Sequence, residues 1–309
     1  MKIAFAYPGQ GVQKVGMIRD FCDEKSYAAQ MVNEASEASG LDMAKLLNEE
    51  NDDINVTEFT QPALVTACLV ITKAIEDLGI SPDITAGLSL GEYCAIAAAG
   101  AMTFADAVRL TRIRGNLMSN TVPTGEGGMA AVIGLEPDLI EKVISGFDGV
   151  TMANFNCPGQ TVITGKAEGV LAAVDALKEA GARKVVPLNV SGPFHSPMLK
   201  PAGDKLRIEL DKTEIKDLKV PYIANSTAKI VTDKDQIRDL LQEQVSSPVL
   251  WEQSLITMKE SGVDLIIEIG PGKTIAGFVK KTVPEIPVIN VSTVEDVENL
   301  TAKINEIQG

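Results

Sequence analysis

The segment Gly87-Leu88-Ser89-Leu90-Gly91 constrains this chain more than any other, because it joins a short apolar run ending at residue 87 to an Ala-rich, helix-forming run from Glu92. In that setting G-x-S-x-G is a strand–turn–helix junction. Glycine on both sides lets strand and helix approach closely, and the tight turn pushes the serine hydroxyl outward over a helix N-terminus that favours negative charge. Outside such a setting the pentapeptide is an ordinary Gly/Ser turn; here it favours a nucleophile. A serine hydroxyl needs a base. His195 is the only histidine among 309 residues, in Ser191-Gly192-Pro193-Phe194-His195-Ser196-Pro197. A lone histidine is commonly a core or idle surface residue, but downstream of an elbow serine, in the Ser-before-His order of hydrolase-like α/β folds, it becomes the candidate base.

The remaining pattern is that of a mainly parallel sheet covered by helices. Residues 3–7 read as a strand ending at Pro8-Gly9-Gln10-Gly11. Residues 61–78 read as a helix with Pro62 in its first turn and Leu64, Ala67, Cys68, Ile71, Ile75 and Leu78 at helical spacing. Residues 84–87, 264–270 and 287–291 read as further strands. From Met129 to Val190 the pattern changes: strand 129–135, helix 137–147, strands 151–155 and 160–165, helix 168–180 and strand 184–190, a βαββαβ order. Pro123, Gly125, Gly127 and Gly128 mark its entry, and Gly192-Pro193 its exit. The expected fold class is therefore α/β. A large α/β-hydrolase-like domain with a mainly parallel sheet, residues 1–122 and 192–309, carries an inserted small ferredoxin-like (βαββαβ) domain over residues 123–191.

Composition excludes several classes. With 28 basic and 42 acidic residues the net charge is −14, the wrong sign for a partner with a phosphate backbone, so no nucleic-acid partner is expected. The apolar stretches 64–75 and 94–105 are broken by Thr66, Thr72 and Lys73 and by Gly100 and Thr103, so no bilayer span is expected. The apolar run after Lys2 is too short for a signal-peptide core. Cys22, Cys68, Cys94 and Cys157 lie far apart with no C-x-x-C pair, so neither metal site nor disulfide framework is expected; reduced thiols imply a cytoplasmic protein. Gly270-Pro271-Gly272-Lys273-Thr274 ends like a P-loop, but that motif requires glycine where this chain has Ile267. It reads as a strand-to-helix turn.

Six ordered motifs span the chain: Pro8-Gly9-Gln10-Gly11, Gly87-Leu88-Ser89-Leu90-Gly91-Glu92-Tyr93, Arg112-Ile113-Arg114-Gly115 with Met118, Asn156-Cys157-Pro158-Gly159-Gln160, Gly192-Pro193-Phe194-His195, and Glu268-Ile269-Gly270-Pro271-Gly272-Lys273. Together they resemble the malonyl-CoA:acyl-carrier-protein transacylases of fatty-acid synthesis and the acyltransferase domains of polyketide synthases. The resemblance implies that Ser89 takes the malonyl group from coenzyme A as an ester and passes it to the phosphopantetheine thiol of acyl carrier protein, with His195 as acid and base. It implies backbone N–H groups of Gln10 and Leu90 as the oxyanion hole. Arg114 would bind the malonyl carboxylate, because a planar guanidinium donates two parallel hydrogen bonds. Gln244 would orient His195 through its backbone carbonyl, and Phe194 would limit space for a methyl branch. The thioester is the substrate and no cofactor is implied. Arg109 and Arg112 read as exposed neighbours on the same helix. Gln160 reads equally as pocket or hairpin residue.

The chain departs from the family in having Leu88 where many members have histidine and Leu250 where many have arginine, which bears on acyl preference more than on reaction class. A serine esterase or thioesterase would use the same Ser89 and His195 with water as second nucleophile, and a stand-alone polyketide acyltransferase differs only in its acceptor. Against a carrier protein of acidic type, Lys280-Lys281 with Lys273 offer a candidate basic patch.

Overall fold

The structure is a computed structural model that describes residues 1–190 and 192–308. Ser191, the last residue of the expected insertion, and Gly309 lie outside the described residues. Among the described residues there are eleven strands in two sheets: β1 (Ile3–Tyr7), β2 (Ile84–Gly87), β3 (Gly127–Ile133), β4 (Val150–Cys157), β5 (Gln160–Lys166), β6 (Lys184–Pro187), β7 (Tyr222–Ile223), β8 (Ile230–Val231), β9 (Val249–Leu250), β10 (Leu265–Ile269) and β11 (Val288–Val291). The larger sheet runs β11-β10-β1-β2-β7-β8. Every pair from β11 to β7 is parallel, and β8 closes the edge antiparallel to β7. Its central strands β2 and β10 are buried along their whole length, as a sheet covered on both faces requires, with Thr85 and Glu268 as their polar residues. Phe5 and Tyr7 face one core with Leu64, Ile71 and Tyr93. Ala4 and Ala6 face the other with Trp251, Leu255 and Phe278.

The second sheet runs β6-β3-β5-β4-β9. The first four strands are antiparallel to their neighbours, whereas β9, from much later in the chain, joins β4 in parallel. A separate apolar cluster, including Val132, Ile140, Ile163, Val170 and Leu177, covers one of its faces. The overall class is thus mixed α/β, with two mixed sheets.

Several expected boundaries shift for physical reasons. The strand expected at 129–135 starts at Gly127, which pairs with Lys166, and ends before Gly134, whose φ is +86°. The helix expected at 137–147 stops at Ile144. The strand expected at 184–190 ends at Pro187, and Leu188 donates one last bond to the Met129 carbonyl at 2.8 Å. The helix expected at 61–78 is α1, Thr57–Asp77, so Pro62 lies inside it rather than in its first turn. A proline cannot donate to the carbonyl four residues back. That carbonyl, Glu58 O, accepts instead from Arg112 Nη1 at 3.0 Å, and the Glu58 carboxylate pairs with the same nitrogen at 2.6 Å. Arg112 is therefore a half-buried helix clamp, not an exposed bystander. Arg109, also half-buried, donates to Thr213 Oγ1 at 2.8 Å.

Candidate active site

The elbow forms where β2 turns into helix α2 (Gly91–Ala98). A Cβ on Gly87 would lie 1.9 Å from the Gly91 carbonyl oxygen, and one on Gly91 would lie 2.5 Å from the Tyr7 carbonyl oxygen, so only glycine fits at either position. Leu88 N donates to Tyr7 O at 2.9 Å, holding the turn against β1. The turn forces Ser89 to φ +54°, a left-handed conformation that non-glycine residues rarely adopt. Asn225, just after β7, staples it: the side-chain Oδ1 accepts from Ser89 N at 2.7 Å, and Nδ2 donates to Gly87 O at 2.7 Å.

His195 sits at φ +58° in the loop that follows β6. Its Nε2 lies 2.8 Å from Ser89 Oγ, and its Nδ1 lies 2.9 Å from the backbone oxygen of Gln244. A carbonyl accepts only, so Nδ1 carries the proton and Nε2 is left with its lone pair toward the serine. Burial pushes the imidazole down to about 3, and the nearby Arg114 charge adds to that, against carbonyls of Gln244 and Ser247 that favour the charged form. The ring is a neutral base at any ordinary pH.

Arg114 comes from α3 (Phe104–Asn120), which crosses α1 at Gly115; a Cβ there would lie 2.9 Å from Glu58 Cα and Thr57 O. The close crossing brings a fully buried guanidinium to the nucleophile. Nη2 donates to Ser89 Oγ at 3.1 Å and Gln244 Oε1 at 2.9 Å, and Nη1 donates to Gln61 Oε1 at 2.8 Å. Gln61 is held the right way round by Met118, whose sulfur receives its Nε2 at 3.7 Å. Nε has no acceptor among the described residues, and the three acceptors the guanidinium has are neutral.

A cavity of about 410 Å³ opens over this cluster, between the elbow and the second sheet, lined among others by Gln10, Leu88, Ser89, Asn154, Phe194 and His195. Gln10 follows β1, its side chain tied to Thr57 Oγ1 at 3.0 Å. Leu90 immediately precedes α2, where the amides of Gly91, Glu92 and Tyr93 are taken by the carbonyls of Leu88, Ser89 and Leu90 at 3.0, 3.1 and 3.1 Å. The sequence candidates Ser89, His195, Arg114 and Gln244 thus touch one another, with Gln10 and Leu90 beside them. Gln160 opens β5 opposite Cys157, in the hairpin rather than the cavity wall. Lys273 and Lys280 line a separate cleft with Lys303 and Asp296, and the Lys281 charge favours the thiolate of Cys157 against burial.

Three buried residues at the site carried no sequence signal for a role: Asn225, Gln61 and Glu92. Asn225 and Gln61 sit in no motif, and each reaches its partner across 53 residues or more. Glu92 was visible within the elbow motif without a function attached. The segment 270–273 is a strand-to-helix turn, and Glu268 caps the following helix α9 (Thr274–Thr282; α4 to α8 being Pro137–Ile144, Ala167–Glu179, Lys200–Asp211, Ile237–Gln244 and Trp251–Glu260) by accepting from the amides of Ile275 and Ala276 at 2.8 and 3.1 Å.

Residues 4–303 match the acyl transferase domain family. The malonyl CoA-acyl carrier protein transacylase of Bacillus subtilis (strain 168) is 43% identical over 302 residues, covering 96% of this chain and 95% of the relative. The crystal structure of the malonyl CoA-acyl carrier protein transacylase from Clostridium perfringens superposes with a TM-score of 0.95 at 40% identity, covering 100% of this chain and 98% of that one. A malonyl-transacylase solved in complex with its type II PKS acyl-carrier protein is 36% identical with a TM-score of 0.94, covering 98% of this chain and 100% of that one.

Proposed function

Because the chain belongs to the acyl transferase domain family, we infer that it is a malonyl transferase: it moves the malonyl group of malonyl-CoA to an acyl carrier protein in fatty-acid synthesis. The observation that carries the chemistry is the meeting of Ser89 Oγ with His195 Nε2 at 2.8 Å and Arg114 Nη2 at 3.1 Å. His195 Nε2 takes the hydroxyl proton as Ser89 Oγ attacks the thioester carbonyl. The tetrahedral oxyanion is met by the amides of Gln10 and Leu90, each donor worth about 3 kcal/mol to the transition state. Collapse breaks the C–S bond, and His195 returns the proton to the departing CoA sulfur. The carrier protein's phosphopantetheine thiol then repeats the sequence in reverse roles, a ping-pong cycle through malonyl-Ser89.

Arg114 takes the malonyl carboxylate. A buried guanidinium with neutral acceptors and an unused Nε is a site for an anion, and acetyl-CoA would leave it unpaired. Phe194 beside the base restricts branching at the α-carbon. Gln244 fixes the imidazole tautomer through its carbonyl. No cofactor enters the scheme.

The finer architecture follows the same reading: residues 1–122 and 192–309 as a hydrolase-like domain, and residues 123–191 as an inserted ferredoxin-like domain. The βαββαβ element order and the β6-β3-β5-β4 antiparallel arrangement support the latter. A cytoplasmic setting fits the four free thiols.

The test is to incubate the protein with labelled malonyl-CoA and acyl carrier protein. Label passing through Ser89 to the carrier is expected, with S89A forming no adduct. R114A should lower the malonyl-over-acetyl ratio by more than it slows acetyl transfer, which loses the guanidinium's contacts with Ser89 and Gln244. Free malonate as the main product would instead make the protein a thioesterase.

A further inference from the structure

Glu92 has no part in the chemistry above, yet it lies at the centre of the site's wiring. It is wholly buried in the first turn of α2, three residues after the nucleophile. Its Oε2 accepts from Gln244 Nε2 at 2.8 Å and from the backbone N–H of Asn225 at 3.2 Å. Those two residues carry nearly everything that fixes the reacting groups. Asn225 holds Ser89 N and Gly87 O. Gln244 gives its backbone oxygen to His195 Nδ1, its side-chain Oε1 to Arg114 Nη2, and its Nε2 also to Ser89 O at 2.8 Å. One carboxyl oxygen therefore ties three segments, from α2, from the chain after β7 and from the end of α7, under two residues held at positive φ.

We propose that Glu92 is a positioning residue of the transfer reaction, whose single acceptor oxygen keeps the Gln244 amide and the Asn225 main chain in the arrangement that aims Ser89, His195 and Arg114 at one point. The strained φ of Ser89 and His195 makes such a tie necessary, because a left-handed non-glycine residue persists only where its surroundings over-determine it. What the site requires of Glu92 is an acceptor, not a charge. Burial raises its carboxyl to about 8, which favours the neutral acid at pH 7; with Oε2 accepting both bonds, the proton then sits on Oε1, which meets no partner among the described residues. Glutamine reproduces the neutral acid's shape and its acceptor; alanine removes the tie and leaves the Gln244 amide and the Asn225 N–H without that acceptor.

The inference rests on the transferase reading, and the experiment separates the two. The labelling rate of Ser89 by a fluorophosphonate, which needs only an activated serine, is measured beside single-turnover malonylation from malonyl-CoA for the unmodified protein, E92A, E92Q and E92D. Both rates in E92A should fall about tenfold to a hundredfold, the loss expected when buried donors lose an acceptor. The concentration of malonyl-CoA giving half-maximal rate should change less than threefold. E92Q should restore both rates to within about fivefold of the unmodified protein, a rescue that a charge requirement would not permit. E92D, one methylene short of both donors, should behave like E92A and stands in for it if E92A does not fold. An E92Q protein as slow as E92A, or an E92A or E92D protein as fast as the unmodified one, overturns the proposal. Fluorophosphonate labelling without any malonyl adduct in the unmodified protein would overturn the transferase reading alone; no labelling at all would overturn both.

Discussion

At the scale of single residues, His195 is a base whose surroundings change its behaviour. A histidine base in water loses activity as pH falls through 6.5. Here burial and Arg114 depress the imidazole to about 3, and the base must be neutral to accept the serine proton. Acylation should therefore stay level from pH 8 down to about pH 5, without the usual fall near 6.5. Rapid-quench measurement of malonyl-Ser89 across that range checks this, and a rate halved near pH 6.5 would show an ordinary imidazole. The same scale shows what the sequence could reveal. Ser89 and His195 were legible because one lies in a spaced motif and the other is unique. Arg114 and Gln244 were legible only by resemblance, since three arginines share that helix and Gln244 sits in an unremarkable amphipathic segment. Asn225 was illegible because its meaning depends on Gly87 and Ser89, more than 130 residues away.

At the scale of elements, the junction of β1, β2 and α2 carries the largest steric demand. Gly91 lets α2 pack directly on the β1 carbonyls, with the hypothetical Cβ 2.5 Å from Tyr7 O and 2.8 Å from Pro8 O. Backbone atoms cannot rotate away, so G91A should cost about 1–3 kcal/mol of stability, as overpacking does, and displace the nucleophile. Gly277, in the middle of α9, has nothing within 4 Å of its Cβ position and no positive φ. G277A should stabilise by about 0.5–1 kcal/mol. Urea unfolding of the two variants gives the contrast, and equal effects would discredit the steric argument. The strand–helix alternation was readable because buried parallel strands are short, mostly apolar runs bounded by turn residues. Boundaries slipped where a tertiary partner outweighed local signals, as with Pro62, whose orphaned carbonyl is taken by Arg112.

At the scale of the whole molecule, buried titratable groups pull stability in opposite directions. Burial raises Glu92 to about 8 and Glu268 to about 7, from an ordinary 4.5. As pH rises through that window the unfolded chain has already released protons that the folded one retains, so stability falls. His195 acts the other way on the acid side: between pH 6.5 and 3 the unfolded chain binds a proton that the folded one refuses, so stability falls as pH drops. Above pH 6.5 only the glutamates contribute among these three, and the melting temperature should decline from there to about pH 8.5. E92Q should remove much of that slope, and a slope unchanged in E92Q would mean Glu92 is ionised in the folded protein at neutral pH.

The short strand β9 gives the molecule a seam. It pairs with β4 of the second sheet, while Leu250 N donates at 2.9 Å to the backbone oxygen of Asn225, which itself grips the elbow. Beside the packing of Met129, Ala153 and Val162 into the main core, this backbone tie moors the smaller sheet along a line that runs to the nucleophile. A swing of one sheet away from the other would drag on the Ser89 amide, so the mouth of the cavity and the aim of the hydroxyl are mechanically geared together rather than free to vary apart.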